Sequence, residues 1–153
     1  MTIRELSHDE VDRVLAAGLG LARLPLKGDD LYLVAWEDDA PVGHAHVAVH
    51  DPPELGDVHV LPEHRRRGVA TALTWAAERA AVARGHDRLR LTVSATAEAP
   101  QALYRGLGYE ECGVPPRRVR GTIQIRSGPL DVDDTLLTWE KKLAVDSAPA
   151  RSS

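Results

Sequence analysis

The sequence predicts an α/β (mixed α+β) domain in which short strands and helices alternate, and three stretches carry that expectation. Residues 58–73, VHVLPEHRRRGVATAL, read as strand end, proline-marked turn, basic loop and helix start in one run. Val58 and Val60 flank His59 in strand alternation, and Leu61-Pro62 ends the strand because proline cannot donate to a ladder. Val69, Leu73, Ala76, Ala80 and Ala83 then recur at helical spacing, and Arg84-Gly85 supplies the stop. Residues 88–93, RLRLTV, alternate polar and apolar throughout, as a half-buried strand does.

Composition sets the outer limits. A chain of 153 residues is the size of one domain with a real core, taken here as residues 1–144. Apolar residues make up 43% but Phe is absent, so Leu, Val, Ala, Trp and Tyr must fill that core. The one cysteine, Cys112, excludes an internal disulfide and offers no metal pattern, which fits a reducing compartment and a cytoplasmic protein. The N-terminal MTIRELSHDE has acidic residues where a signal peptide needs an apolar run, and no apolar stretch reaches membrane-spanning length. A net charge of −4 disfavours nucleic acid and membrane surfaces as partners. Residues 145–153, rich in Ser, Ala and Pro, read as a disordered tail.

The remaining elements follow in order. Residues 2–6 form a short strand, and Ser7-His8-Asp9-Glu10 matches a capping box, with Leu6 and Val11 as its hydrophobic staple. The first helix turns Val11, Val14, Leu15 and Gly18 toward the core. Residues 21–27 are ambiguous between a second helix and a loop. Residues 31–36 and 42–49 are β-prone runs around the polar turn at 37–41 and form a hairpin. Asp51-Pro52-Pro53 makes the next turn, and Glu54 opens the strand that runs into the 58–73 stretch. Pro100 suits the first turn of a short helix through Arg105, closed by Gly106 and Gly108. Residues 109–112 and 135–142 are strands. The 113–134 connection is long for a compact domain, so it is functional or holds a hairpin around residues 119–125.

The helix after the basic loop has no Ser, Thr, Asp or Asn to cap it. Arg65, Arg66, Arg67 and Gly68 stand there instead, followed by Val69, Ala70 and Thr71. Gly68 can take backbone angles closed to other residues, and Ala70 lets a ligand approach the main chain. Outward N–H groups at the positive end of a helix dipole suit a phosphate or diphosphate, and arginines add forked donors. No Gly-Lys-Ser/Thr follows, which excludes a Walker loop.

Arg65-x-x-Gly68-x-Ala70 after Val-x-Leu-Pro resembles the acyl-CoA loop of the GNAT superfamily of N-acetyltransferases, whose pattern is Q/R-x-x-G-x-G/A. A second segment, Ala102-Leu103-Tyr104-Arg105-x-Leu107-Gly108-Tyr109, resembles that family's A-x-x-L-Y-x-x-L-G-F/Y. The element order matches over residues 2–143. The resemblance implies a GNAT-type acyl-CoA N-acyltransferase fold, with one central, mostly antiparallel sheet flanked by helices. It implies acetyl-CoA as cosubstrate, no metal, and acetyl transfer to a primary amine by direct attack in a ternary complex. It also implies that residues 66–71 hold the diphosphate, while the main chain of His59, Val60 and Leu61 pairs with the pantetheine arm. Tyr104 matches the tyrosine that protonates the departing sulfur. Glu54, eleven residues before Arg65, matches the catalytic glutamate of the histone acetyltransferase branch; other branches use ordered water. Where many relatives carry an asparagine seven residues before the tyrosine, this chain has Ala97, and Ser94 or Thr96 stands nearby to replace it. Dimerisation through C-terminal strands is common in that family.

Other residues point to the acceptor. His44, His46 and His50 fall on one strand face with His59 nearby, which suits lining of an acceptor groove or a satisfied buried histidine better than a metal site. Arg117, Arg118 and Arg120 suit an acidic substrate group, and Asp131, Asp133 and Asp134 a cationic one. The competing reading is a non-catalytic acyl-CoA binding or sensing module, which Ala97 keeps open. Nucleic-acid binding by residues 65–67 is the third, and the acidic net charge opposes it.

Overall fold

The computed structural model describes residues 1–125 and 128–144, in two compact units: Met1–Leu89 with the stretch from Lys142 on, and Arg90–Lys141. The tail at 145–153 lies outside the described residues. Every strand pair with a described register is antiparallel, and helices flank the strands, giving the mixed α+β class expected.

In the first unit, β1 (Thr2–Glu5), β2 (Leu31–Glu37), β3 (Ala40–Ala48) and β4 (Glu54–Val60) form an antiparallel meander. Asp38 and Asp39, both at positive φ, close the β2–β3 hairpin as a tight two-residue turn, shorter than the five-residue turn expected. After β1, Ser7 N–H donates to the Glu10 carboxylate at 3.1 Å across a 3₁₀ turn, His8–Glu10, that leads into α1 (Val11–Ala16). Leu6 and Val11 pack on the cluster of Val14, Leu19, Leu21, Tyr32, Val34 and Trp36, as a staple should. Leu15, expected in the core, is instead 44% exposed, because α1 is too short to bury more than the Val14 stripe. Residues 21–27 form turns rather than a helix.

The meander has two unlike faces. Gly43 sits where a Cβ would press on Val69 and Leu73, so its face belongs to α2 (Val69–Ala83), which packs on β2, β3 and β4. The buried stripe of α2 is Val69, Leu73, Thr74, Ala76, Ala77 and Ala81. Ala77 and Ala81 take the places expected for Ala80 and Ala83, since the four-residue step keeps the stripe in line over four turns. At its end, Gly85 at φ +88 lets its N–H reach Val82 O and the His86 N–H reach Ala81 O, a Schellman stop. The opposite face carries Tyr32, His44, His46, Glu54 and Gly56.

In the second unit, β5 (Arg88–Ser94) buries Leu91 and Val93 and lies next to β8 (Gly128–Lys142). α3 (Glu98–Gly106) and β6 (Glu110–Glu111) follow. β7 (Arg117–Ile125) pairs with β8 from Arg117↔Leu136 to Ile125↔Gly128. The long connection is therefore a hairpin, and the strand expected at 135–142 begins at Gly128.

The N-cap of α3 is Ala97, with extended backbone angles and no side-chain capping bond. Ala97→Asn should therefore stabilise the fold by about 0.5–2 kcal/mol, checked by urea unfolding.

Candidate functional site

The loop before α2 is built to leave donors uncommitted. Arg66 and Gly68 both hold positive φ, +63 and +78, and Gly68 caps the helix without a side chain. The first backbone bond into the helix runs from Ala72 N–H to Gly68 O, so the N–H groups of Val69, Ala70 and Thr71 have no acceptor inside it. Thr74 donates its hydroxyl back to Ala70 O at 2.8 Å, which leaves the amide end clear. A Cβ at Gly68 would meet nothing within 4 Å, so the space beside the cap is open. Arg66 and Arg67 are exposed beside it. Arg65 differs: its Nε donates to Val60 O at 3.1 Å, tying the loop to the strand it follows. The arrangement fits a diphosphate.

At the end of β4, Leu61 N–H donates to Val42 O at 2.9 Å, so Leu61 faces β3. By strand alternation the Val60 N–H and C=O are directed away from β3, and Val60 O is the carbonyl that Arg65 holds. Of the three residues expected to meet a pantetheine arm, Val60 thus turns its amide away from β3, and His59 and Leu61 turn theirs toward it. His59 sits opposite His44 in register.

A polar cluster lies on the same sheet face as Glu54. Between Gly56 and His59, β4 carries one residue more than β3, and Asp57 takes φ +48 at this bulge. The bulge aims the Asp57 carboxylate at Tyr32, whose hydroxyl donates to it at 2.5 Å. Three consecutive N–H groups of the loop then dock on side chains of three strands. Leu21 donates to His44 Nε2 at 3.3 Å, Ala22 to Asp57 Oδ2 at 3.2 Å and Arg23 to the Tyr32 hydroxyl at 2.8 Å. His44 Nδ1 meets Asp57 O at 2.9 Å, so His44 is the neutral Nδ1–H tautomer, accepting at Nε2. Tyr32 is wedged edge-on between the His44 and His46 rings, each 5.2 Å away.

His46 is only half satisfied. Its Nε2 lies 3.4 Å from Asp30 Oδ2, and Asp30 Oδ1 accepts Val49 N–H at 2.9 Å. Its Nδ1 is buried without a partner. His50 lies beyond the strand, exposed, with Nδ1 2.7 Å from Pro52 O. Among the described residues no group of three metal-ligating side chains converges. Tyr32, Asp57, Asp30 and Arg23 were not singled out by sequence; the bulge that gathers them has no local signature, and Asp57 reads there as an ordinary strand-edge carboxylate.

In the second unit, Tyr104 is buried on α3 and packs edge-on against Tyr109 at 6.0 Å. Ser94 Oγ donates to Asp134 Oδ1 at 2.9 Å and accepts Thr96 N–H at 3.2 Å, so both residues near Ala97 are engaged locally. The arginines and aspartates of the connection meet each other. Arg118 makes a two-pronged bond to Asp133, 2.9 Å on each side, and Arg120 Nε lies 3.5 Å from the same carboxylate. Asp131 accepts the Thr122 hydroxyl at 2.8 Å.

Burial, the largest influence, holds His44 and His46 below the ordinary histidine value of 6.5 despite the carboxylates beside them. Below pH 6.5 the unfolded chain then binds more protons than the fold. This contribution to stability is complete above that pH and is lost as pH falls through the folded values. Unfolding free energy from urea melts should decline between pH 7 and about pH 5, a range in which ordinary carboxylates stay ionised; a flat profile there would contradict the burial of neutral histidines.

The acetyltransferase (GNAT) family model matches residues 5–109, more than half of the chain. No curated protein sequence matches it. Solved structures do share its fold. The ribosomal-protein-S18-alanine N-acetyltransferase of Escherichia coli superposes with a TM-score of 0.71 at 20% identity, over 97% of each chain. The ribosomal-protein-alanine N-acetyltransferase of Brucella melitensis gives 0.68 at 21%, over 94% of this chain and 100% of its own. An aminoglycoside 6'-N-acetyltransferase complexed with coenzyme A gives 0.67 at 18%, over 97% and 99%. With the uncapped basic loop, the bulged strand beside it and this match, the chain belongs to the GNAT acetyltransferase family.

Proposed function

We propose that the protein moves an acetyl group from acetyl-CoA to a primary amine of a small molecule or peptide by direct attack in a ternary complex. The observation that carries this reading is the loop at 66–71, with two positive-φ residues, a side-chain-free cap and three helix-start amides lacking an internal acceptor. Those amides, with Arg66 and Arg67, hold the diphosphate, and Arg65 braces the loop against Val60. Bound acetyl-CoA supplies the activated thioester. The remaining tasks fall, by the family resemblance, to the chain's own groups. The Val60 N–H serves the carbonyl oxygen as it gains charge, a contribution of roughly 2.7–4 kcal/mol for one such donor. Glu54 opens β4 on the face of His46 and accepts the proton of the ammonium group, directly or through water. Tyr104 donates its phenolic proton to the departing thiolate. Holding amine and thioester in line contributes about 7–11 kcal/mol more.

The surroundings of Ala97 bear on the rival reading, an acyl-CoA binding module without turnover. Ala97 carries no amide of its own; the nearby Gln101 amide donates to Ser94 O at 2.8 Å, and the Ser94 and Thr96 hydroxyls bond each other and Asp134. On this reading cofactor affinity rests chiefly on the α2 loop. Among the described residues no helix is long and apolar enough to cross a membrane. A cytoplasmic setting, on the lone Cys112, and a homodimer, on family grounds, are part of this proposal.

Acetyl-CoA at a hundredfold its dissociation constant should stabilise the wild type by about 2.7 kcal/mol, and Gly68→Asp should abolish the rise in melting temperature. Absence of a rise at millimolar ligand would overturn the acetyltransferase reading. Tyr104→Phe and Glu54→Gln should each keep the acetyl-CoA shift while lowering kcat for amine-dependent thiol release by roughly 10²–10⁴. Binding by the wild type without thiol release for any amine would favour the module.

A further inference from the structure

We infer that the acceptor is an aminocarboxylate, whose amino group is taken by the His46–Asp30 pair and whose carboxylate is taken by Arg23. This deepens the acetyltransferase reading above and rests on it for the statement that the bound molecule is the acceptor. The site itself stands on the geometry of the first unit.

A cavity of about 310 Å³, within the range of small-molecule pockets, opens beneath the docked loop. Its lining is Ala22, Arg23, Leu24, Pro25, Lys27, Asp30 and His46. His46 lines it, is 3% exposed, and holds its Nδ1 buried without a partner. With Asp30 beside Nε2, the ring proton belongs on Nε2, which leaves a bare lone pair on Nδ1. A buried acceptor of that kind costs about 1–3 kcal/mol when nothing donates to it, so it calls for a ligand N–H. An amine or ammonium supplies one, and the Asp30 carboxylate favours the charged form.

The second charge lies directly across the sheet. Gly56 is the cross-strand partner of His46, where a side chain would stand about 4.5–5.5 Å from that of His46. Gly56 has no positive φ that would require glycine. A Cβ there would instead lie 3.2 Å from Arg23 Nη2, so the missing side chain makes room for the guanidinium on the sheet beside His46. Arg23 is fixed at its backbone by the Tyr32 hydroxyl, and among the described residues no carboxylate ion-pairs with its guanidinium. A planar, unpaired fork next to a bare imidazole lone pair offers one partner for a carboxylate and one for an amine a few atoms away. Leu24 and Pro25 leave an apolar wall for the rest of the ligand. Asp30, Arg23, Asp57 and Glu54 act on His46 most strongly, and Lys27 is a further cation in the cavity lining. The guanidinium, with Lys27 near it, attracts an anionic group and decides against a simple polyamine.

Three probes of matched shape separate these classes: leucine, leucinamide and isopentylamine, which differ in the carboxylate. Each is titrated against the full-length wild type, Arg23→Gln and Gly56→Ala, with thermal stabilisation read with and without acetyl-CoA and thiol release read beside it. Leucine should stabilise the wild type at concentrations at least tenfold lower than either analogue. Arg23→Gln should bring the three within about twofold of one another, and Gly56→Ala, which displaces the guanidinium without removing it, should fall between. Unliganded melting temperatures report whether each variant is folded. Equal responses to all three probes by the wild type, or a leucine preference unchanged in Arg23→Gln, would overturn the inference. So would stabilisation by leucinamide alone, which would point to a peptide N-terminus. Leucine binding without any acetyl-CoA shift would leave the site standing and fault the acetyltransferase reading instead.

Discussion

Three adjacent amides hold this structure's functional face together. Leu21, Ala22 and Arg23 cannot pair with one another in a turn, and Leu21 is buried, where an unpaired N–H is costly, so the loop takes acceptors beneath it. It finds one on each of three neighbouring strands: a histidine on β3, a carboxylate on β4 and a phenol on β2. The Tyr32 phenol works in both directions, accepting from the loop and donating to Asp57. Burial raises its pKa well above the ordinary phenol value, with the Asp57 hydrogen bond second, so the hydroxyl keeps the proton this exchange requires. The cavity roof, the direction of Arg23 and the tautomer of His44 all follow from these bonds.

The meander is therefore two surfaces with different duties. The face under α2 is filled by alanine, valine and leucine, packed tightly enough that Gly43 has no room for a methyl group. The other face buries histidines, a tyrosine and carboxylates whose hydrogen bonds point toward the loop. A bulge at Asp57 reconciles them. It inserts one residue so that β4 can keep Leu55 and Val60 in the core while turning a carboxylate toward Tyr32. Such a polar layer specifies one loop position where an apolar one would tolerate several.

Much of this was legible in the sequence because its signals are local. The 58–73 run, the capping box, the alternation at 88–93 and the glycine stops each depend on neighbours within a few residues, and each appears where the spacing placed it. The basic loop was legible for the same reason. The buried stripe of α2 takes Ala77 and Ala81 in place of Ala80 and Ala83, since the alanines are chemically alike and only packing separates them. Leu15 looked like core because helix length is not written in its pattern. The acceptor face was the least readable part. Its histidines stood out, but Asp57, Tyr32, Asp30 and Arg23 meet through register and a bulge, and neither can be seen in one strand alone. The charges at 117–134 suggested a substrate grip, whereas Arg118 and Arg120 share Asp133 across the hairpin.

An uncapped helix start has a consequence for the lifetime of the chain. α2 is the principal cover of one sheet face, yet its first turn is held by no side chain of its own. Whatever anion occupies those amides completes the helix in the way an N-cap residue does, and fraying of the first turn becomes a fight against the ligand. Protease access to the 65–71 loop would then fall as such an anion binds.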